Sequence, residues 1–164
     1  MIIRHAKQED AERLSAIEAL SYPPAEGAAK KTIQKRIAVF PDRFWLLEEE
    51  DEIRAFISGM ASDLPDLTDE MYENPNMHRA EGKWLMLLSV VTDPPHRKKG
   101  YAGLLLRRVI EDARTEKQSG IVLTCKEPLL CFYQKYGFEK EGISQSVHGG
   151  AVWYQMRLCF RPLS

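Results

Sequence analysis

Apolar residues recur every three to four positions in four parts of the chain, which is the pattern of an amphipathic helix. In the first part Ala11, Leu14 and Ile17, with Ala16 or Leu20, share one face, and a proline pair at Pro23 ends the pattern. The strongest pattern opens at Gly100 and places its apolar stripe opposite a row of charges. The four helices are expected at about residues 8–22, 28–39, 100–113 and 128–136.

Seven shorter apolar segments, bounded by turn residues, predict β-strands. Residues 83–92 are apolar at almost every position rather than at every second one, which indicates a strand covered on both faces. The consecutive acids at residues 48–52 predict a solvated hairpin turn, and the sequence His148-Gly149-Gly150 predicts another. The strands are expected at about residues 1–4, 44–47, 53–60, 83–92, 121–125, 138–147 and 151–160.

The elements follow one another as β-α-α-β-β-β-α-β-α-β-β, and no repeat or low-complexity linker interrupts them. We therefore predict a single domain, residues 1–164, of the α/β (α+β) class. Its central sheet is expected to be mixed and mostly antiparallel, with about seven strands and about four helices on its two faces. The polar stretch at residues 63–81 is too irregular to be one element.

The composition argues against several classes of protein, namely nucleic-acid-binding, membrane-bound, secreted and metal-binding proteins. The 164 residues include 23 Lys+Arg and 24 Asp+Glu, so the net charge of −1 gives no global reason to expect nucleic acid or a membrane as a partner. The uncharged apolar stretch at residues 84–91 is far shorter than a membrane-spanning helix, and the N-terminus has no secretory apolar region. Three cysteines without Cys-x-x-Cys spacing indicate reduced thiols in a cytoplasmic protein and no metal site.

Residues 89–103 combine a buried strand, a short loop and the N-terminus of a helix. Free amide N–H groups and the helix dipole at such a terminus attract anions. Gly100, Ala102 and Gly103 are small enough for a phosphate to approach the main chain, and the segment from His96 to Arg108 contains five Lys or Arg residues and no acid. A solvated basic turn is the alternative. The pattern favours a pyrophosphate-binding loop.

The sequence Arg97-Lys98-Lys99-Gly100-Tyr101-Ala102 resembles the (Q/R)-x-x-G-x-(G/A) signature of the GNAT superfamily of acetyl-CoA-dependent N-acyltransferases. The order of elements over essentially the whole chain is similar to that superfamily's order. The resemblance implies that acetyl-CoA is a cosubstrate, that the loop amides hold its pyrophosphate, and that the end of the buried strand pairs with its pantetheine arm. The residues so assigned are Val90, Val91, Thr92, Arg97, Lys98, Lys99, Gly100, Tyr101, Ala102 and Gly103.

Residues 123–138 resemble a segment of the arylalkylamine (serotonin-type) N-acetyltransferases, mainly through Phe132-Tyr133-Gln134-Lys135-Tyr136-Gly137-Phe138. Those enzymes carry two histidines on the strand before the phosphate loop. This chain has Met86 and Leu88 there, so the general base is not carried over. A base at His78 or His148, a carboxylate such as Glu81 acting through water, and an amine that arrives neutral remain alternatives.

Acyl transfer to an amine needs a polarised thioester carbonyl and a proton for the departing thiolate. The resemblance favours Tyr133 as the proton donor, because a phenol is protonated at neutral pH, and plain packing is the alternative role. Cys125 and Cys131 have no histidine nearby in the sequence to activate a thiol. Direct transfer without an acyl-enzyme intermediate is therefore expected.

The connection at residues 63–73 contains five acids and no base. It is either a solvated loop or an acidic rim that attracts a cationic amine. We therefore predict an N-acetyltransferase that acts on the primary amine of a small molecule, such as an arylalkylamine or a polyamine, and a homodimer is compatible with this. The alternatives are a protein N-terminal or lysine acetyltransferase and a non-catalytic CoA-binding regulatory domain.

Overall fold

The computed structural model describes residues 1–160, and their strands form one seven-stranded sheet in the order β1-β2-β3-β4-β5-β7-β6. The strand β7 therefore lies between β5 and β6. The sheet is mixed: β4 and β5 pair in parallel, whereas β1 with β2, β2 with β3, β5 with β7 and β6 with β7 are antiparallel. This confirms the predicted sheet. The strands are β1 Ile2–Arg4, β2 Phe44–Glu49, β3 Glu52–Ser62, β4 Trp84–Thr92, β5 Gly120–Cys125, β6 Glu139–Ile143 and β7 Tyr154–Cys159.

The described residues form five α-helices, of which four match the predicted ones. The additional short helix lies in the connection that the sequence indicated to be irregular, where the acids at its first turn favour a helix N-terminus. None of the helices within residues 1–160 has the length and apolarity to cross a bilayer. The helices are α1 Ala11–Ser21, α2 Lys30–Val39, α3 Asp69–Glu73, α4 Tyr101–Thr115 and α5 Leu130–Gln134.

The chain falls into two compact units. The first contains Met1–Gly59 and Leu88–Val109, and the second contains Met60–Leu87 and the chain from Ile110 onward. In the first unit α1 packs against α2, and Phe40, Phe44 and Phe56 are fully buried. Each such aromatic side chain contributes roughly 1.5–3 kcal/mol relative to an exposed one. In the second unit β5, β7 and β6 form a continuous antiparallel ladder. The single-domain organisation stays a prediction.

The buried face of α1 contains Ala11, Leu14 and Ile17, as predicted, but neither Ala16 nor Leu20. Leu20 is 63% exposed and Ala16 is also exposed, whereas Glu18 is 1% exposed. The reason is geometric, because a residue four positions after the buried Leu14 lies nearly above it on a helix, while a residue six positions after it faces away. The helix therefore buries a carboxylate where the hydrophobic pattern placed a leucine.

The connection between β6 and β7 is longer than the predicted hairpin. The strands were expected to reach residue 147 and to resume at residue 151, but β6 ends at Ile143 and β7 begins at Tyr154. Asp69 of α3 accepts hydrogen bonds from the hydroxyl of Ser146 and, at 3.1 Å, from the amide of Val147. Since these groups bond to α3, they do not extend the ladder, and residues 144–153 form a loop.

Candidate active site

The loop between β4 and α4 bends sharply before the helix begins. After a short 3-10 turn at Pro94–His96, Lys98 has φ of 64° and Gly100 has φ of 81°, both in the left-handed region. A Cβ added to Gly100 would meet no other atom within 4 Å. Gly100 therefore relieves the backbone strain and leaves open space in front of its main chain.

Donors and positive charge converge on this open space. Among the described residues, no main-chain hydrogen bond is donated by the amides of residues 98–103, and the first helical bond runs from the amide of Leu104 to the carbonyl of Gly100 at 3.1 Å. Arg97, Lys98 and Lys99 are exposed beside these amides. The ten residues assigned to the cofactor thus lie along the end of β4, this loop and the first turn of α4. Such a terminus can bind an anion.

A buried arginine holds the start of the loop. Arg54 of β3 places Nη1 2.7 Å from Nε2 of His96 and 2.8 Å from Oε2 of Glu52, and its carbonyl accepts the amide of Asp93 at 2.8 Å. Because a guanidinium only donates, Nε2 of His96 is the acceptor in this contact. Arg13 of α1 donates to Oδ2 of Asp93 at 2.9 Å. These contacts connect the start of the loop to β3 and α1.

The acidic hairpin holds the other end of the loop. The hydroxyl of Tyr101 donates to Oε1 of Glu49 at 2.7 Å, and this hydrogen bond, with a smaller contribution from burial, raises the pKa of the Tyr101 phenol. Glu50 and Glu52 both accept hydrogen bonds from Arg54. The turn at residues 50–51 is confirmed, but the hairpin's acids are not merely solvated, because three of them support the loop.

The end of β4 contacts the buried carboxylate of α1. Glu18 accepts a hydrogen bond from the hydroxyl of Ser89 and another, at 3.1 Å, from the amide of Ala28. The hydroxyl of Tyr22 donates to the carbonyl of Val90 at 3.3 Å. The sequence interpretation missed Glu18, although a glutamate four residues after Leu14 on an apolar face was a readable signal.

Tyr133 lies in α5, in the second unit. It is 4% exposed, and its ring packs edge-on against Phe132 and Phe138, with ring centroids 5.0 and 5.8 Å away. Its carbonyl accepts the amides of Tyr136 and Phe138 at the end of the helix, where Gly137 has φ of 96° as expected of a C-terminal cap. The phenol is thus held in one position by apolar neighbours.

Cys125 does not provide an activated thiol. Cys125 is buried at the end of β5 with its Sγ 3.7 Å from Sδ of Met156, and burial raises the pKa of its thiol to about 11. A thiol with that pKa is protonated at neutral pH and is a poor nucleophile. Cys131 and Cys159 are exposed. This geometry favours direct acyl transfer.

Three of the acids in the connection at residues 63–73 accept hydrogen bonds from elsewhere in the second unit, and Asp63 accepts the amide of Lys83 at 3.2 Å. Asp66 binds Arg157 at 2.7 Å and Gln155 at 3.0 Å, and Asp69 holds the β6–β7 loop. A cavity of about 510 Å³ lies beside them. It is lined by Asp66, Leu67, Thr68, Asp69, Glu141, Ile143, Ser144, Gln145, Ser146 and Gln155.

The candidate bases named from the sequence are placed as follows. Nδ1 of His78 accepts the amide of Ala61 at 3.0 Å, so the ring proton lies on Nε2 and the ring serves to fix the main chain. Glu81 is exposed. The side chain of His148 lies outside the described part of the structure. Met86 is fully buried in β4, and Leu88 is 8% exposed.

Comparison with known proteins identifies one family model. Residues 40–140 match the model of the acetyltransferase (GNAT) domain. Human N-acetyltransferase 8 is 29% identical over 104 residues, which are 62% of this chain and 40% of that protein. Serotonin N-acetyltransferase of Mesocricetus auratus is 27% identical over 114 residues, 69% of this chain and 54% of that protein. The chain thus spans about half the length, or less, of these relatives.

A solved structure shares the fold over nearly its full length. The GphF GNAT-like decarboxylase, in complex with isobutyryl-CoA, superposes with a TM-score of 0.86 at 22% identity, covering 98% of this chain and 100% of that one. At this identity the likeness shows the fold alone.

Proposed function

We propose that this chain, which belongs to the GNAT acetyltransferase family, transfers an acetyl group from acetyl-CoA to the primary amine of a small molecule. The observation that carries the proposal is the loop before α4, with unbonded amides, three exposed basic side chains and open space at Gly100. A pyrophosphate suits this site, because it offers acceptor oxygens and negative charge to amides that donate no main-chain hydrogen bond within residues 1–160.

The cofactor's reactive end is assigned to the end of β4. The parallel pairing of β4 with β5 is made by Trp84–Met86, at the start of the strand, while Val90, Val91 and Thr92 lie at its other end. Main-chain groups there can pair with the pantetheine arm and polarise the thioester carbonyl, as an oxyanion hole does. Their position is fixed by the strand, so no reorganisation is needed when charge develops.

Tyr133 is proposed as the acid that protonates the departing thiolate. A buried phenol held by two aromatic neighbours has little freedom, which suits a proton donor that must meet one atom. The protonated state of Cys125 supports direct attack of the amine on the thioester. One C–S bond then breaks as one C–N bond forms, and the amine loses a proton.

The acidic connection is proposed to favour cationic amines. Asp66 and Glu141 share one ion-pair partner, Arg157, so together with Asp69 they leave a net negative charge around the cavity. Leu67 and Ile143 add apolar surface to its wall, which suits an alkyl or aryl substituent.

Calorimetry with acetyl-CoA, followed by thiol release over a panel of amines, tests the proposal. The panel contains alkylamines, arylalkylamines, polyamines and peptides with free N-termini or lysines. Binding with turnover of small amines supports the proposal. Turnover of peptides alone would show that the substrate is a protein rather than a small amine. Binding of acetyl-CoA without any turnover would indicate a regulatory CoA-binding domain. Absence of acetyl-CoA binding would refute the assignment of the loop before α4 to the cofactor.

A further inference from the structure

The carboxylate of Glu18 is buried against β4, next to the residues assigned to the thioester. It is 1% exposed, and each oxygen has a described donor: Ser89 Oγ bonds to Oε1, and the amide of Ala28 bonds to Oε2 at 3.1 Å. A carboxylate is costly to bury unless its oxygens are satisfied, and these contacts satisfy it. The two donors also fix its position relative to β4.

Because Ser89 Oγ donates to Glu18, the hydroxyl oxygen can still accept a hydrogen bond from another group. A carboxylate only accepts hydrogen bonds, so the Ser89 hydroxyl donates its one hydrogen to Glu18. The lone pairs of Ser89 Oγ can then accept a hydrogen bond from an amine. Ser89 precedes Val90 on β4, and one strand residue spans about 3.3 Å. A carbonyl held at Val90–Thr92 therefore lies one to three residues along β4 from Ser89, which is 5% exposed.

We propose that Ser89 and Glu18 form a proton relay that removes the proton of the acceptor amine. The inference rests on the proposed function and supplies the base that the histidine positions lack. Because Glu18 is shielded by its own packing, an amine reaches it through the Ser89 hydroxyl rather than directly. The hydrogen bond from Tyr22 to the carbonyl of Val90 holds the α1–α2 connection against the same stretch of β4.

The proton transfer balances without any further reactant. As the C–N bond forms, the amine nitrogen becomes positively charged and acidic. Its proton passes to Ser89 Oγ while the Ser89 proton passes to Oε1 of Glu18. The C–S bond then breaks and the thiolate takes a proton from Tyr133. Before the next turnover Glu18 returns its proton through the Ser89 hydroxyl to the site and so to solvent, and the Tyr133 phenolate regains a proton.

The test compares Glu18→Gln and Ser89→Ala with the unmodified protein on two amines. The probes are 2-phenylethylamine and its β,β-difluoro analogue, which have the same skeleton, but fluorine makes the nitrogen less basic and its positively charged intermediate more acidic. Removing the relay is expected to lower kcat for 2-phenylethylamine about 100-fold, at the lower end of general acid–base effects. The loss for the difluoro analogue should be at least tenfold smaller, because water can accept its proton. KM for acetyl-CoA should stay unchanged.

Equal losses for the two amines would overturn the relay, because a structural effect on β4 does not depend on amine basicity. Glu12→Gln, on the exposed face of α1, serves as the matched control and should leave both rates unchanged. If Glu18→Gln does not fold, Ser89→Ala decides the question by the same selectivity. Failure of the unmodified protein to acetylate either amine would instead refute the proposed arylalkylamine activity.

Discussion

The phenol of Tyr101, the first residue of α4, donates a 2.7 Å hydrogen bond to Oε1 of Glu49 at the end of β2. Together with the contact between Arg54 and His96, it holds both ends of the loop between β4 and α4. The residues between these ends, 97–100, are left exposed to a ligand. The acids of the hairpin thus support a basic loop.

The first prediction concerns this hydrogen bond and pH. Because Glu49 raises the pKa of Tyr101 above its ordinary value of 10.0, the bond stabilises the fold fully below pH 10 and is lost as the pH rises through the folded-state pKa. Tyr101→Phe should therefore be less stable than the unmodified protein at pH 8, and the difference should vanish at strongly alkaline pH. Urea unfolding at a series of pH values measures it. A difference that does not change with pH would contradict the prediction.

The second prediction is that Gly100→Val weakens acetyl-CoA binding at least tenfold. The side chain would strain a backbone with φ of 81° and fill the space where the phosphate is expected. Calorimetry on the folded variant measures the loss. Gly142→Val is the matched control, since Gly142 has φ of 107° and an equally open surrounding but lies in β6. If both variants bind acetyl-CoA equally well, the phosphate assignment is wrong.

The third prediction is that Tyr133→Phe lowers kcat and leaves acetyl-CoA affinity and folding nearly unchanged. The variant loses one hydroxyl and keeps the ring packed against Phe132 and Phe138. General acid catalysis contributes roughly 10²–10⁴-fold, and the loss should lie near the lower value because a thiolate is a fair leaving group. Steady-state kinetics across pH measures it. A normal kcat at every pH would reduce Tyr133 to a packing role.

The fourth prediction concerns the acidic connection. Replacing Asp66, Asp69 and Glu70 with neutral amides should raise the amine KM a few-fold and reduce its dependence on salt, with the acetyl-CoA KM unchanged. Screening over about 8 Å at physiological salt limits the size of the effect. Glu70→Gln alone separates charge from structure, since Glu70 is exposed whereas Asp66 and Asp69 hold β7 and the β6–β7 loop. An amine KM that is insensitive to all three changes and to salt would make the connection a simple surface loop.

Elements formed by neighbouring residues could be predicted from the sequence. The apolar run of β4, the stripe of α4 and the small residues between them are local patterns, so the strand, the loop and the helix could be predicted before any tertiary contact was known. Phosphate binding by this loop stays a prediction. Predictions failed where a local pattern competed with a distant partner. The amide of Val147 donates to Asp69 instead of pairing within the predicted hairpin. The hydroxyl of Ser89 donates to Glu18, which allows a carboxylate to lie on the buried face of α1.

By itself the sequence determined the seven strands, four of the helices and the loop between β4 and α4, because periodicity and helix start signals act over a few residues. Only the tertiary structure decided which side chains meet. Glu18 and Ser89 are 71 positions apart, Glu49 and Tyr101 are 52 apart, and Arg54 and His96 are 42 apart. Sheet order and helix packing bring these pairs together, and neither the spacing nor the composition of the chain specifies them.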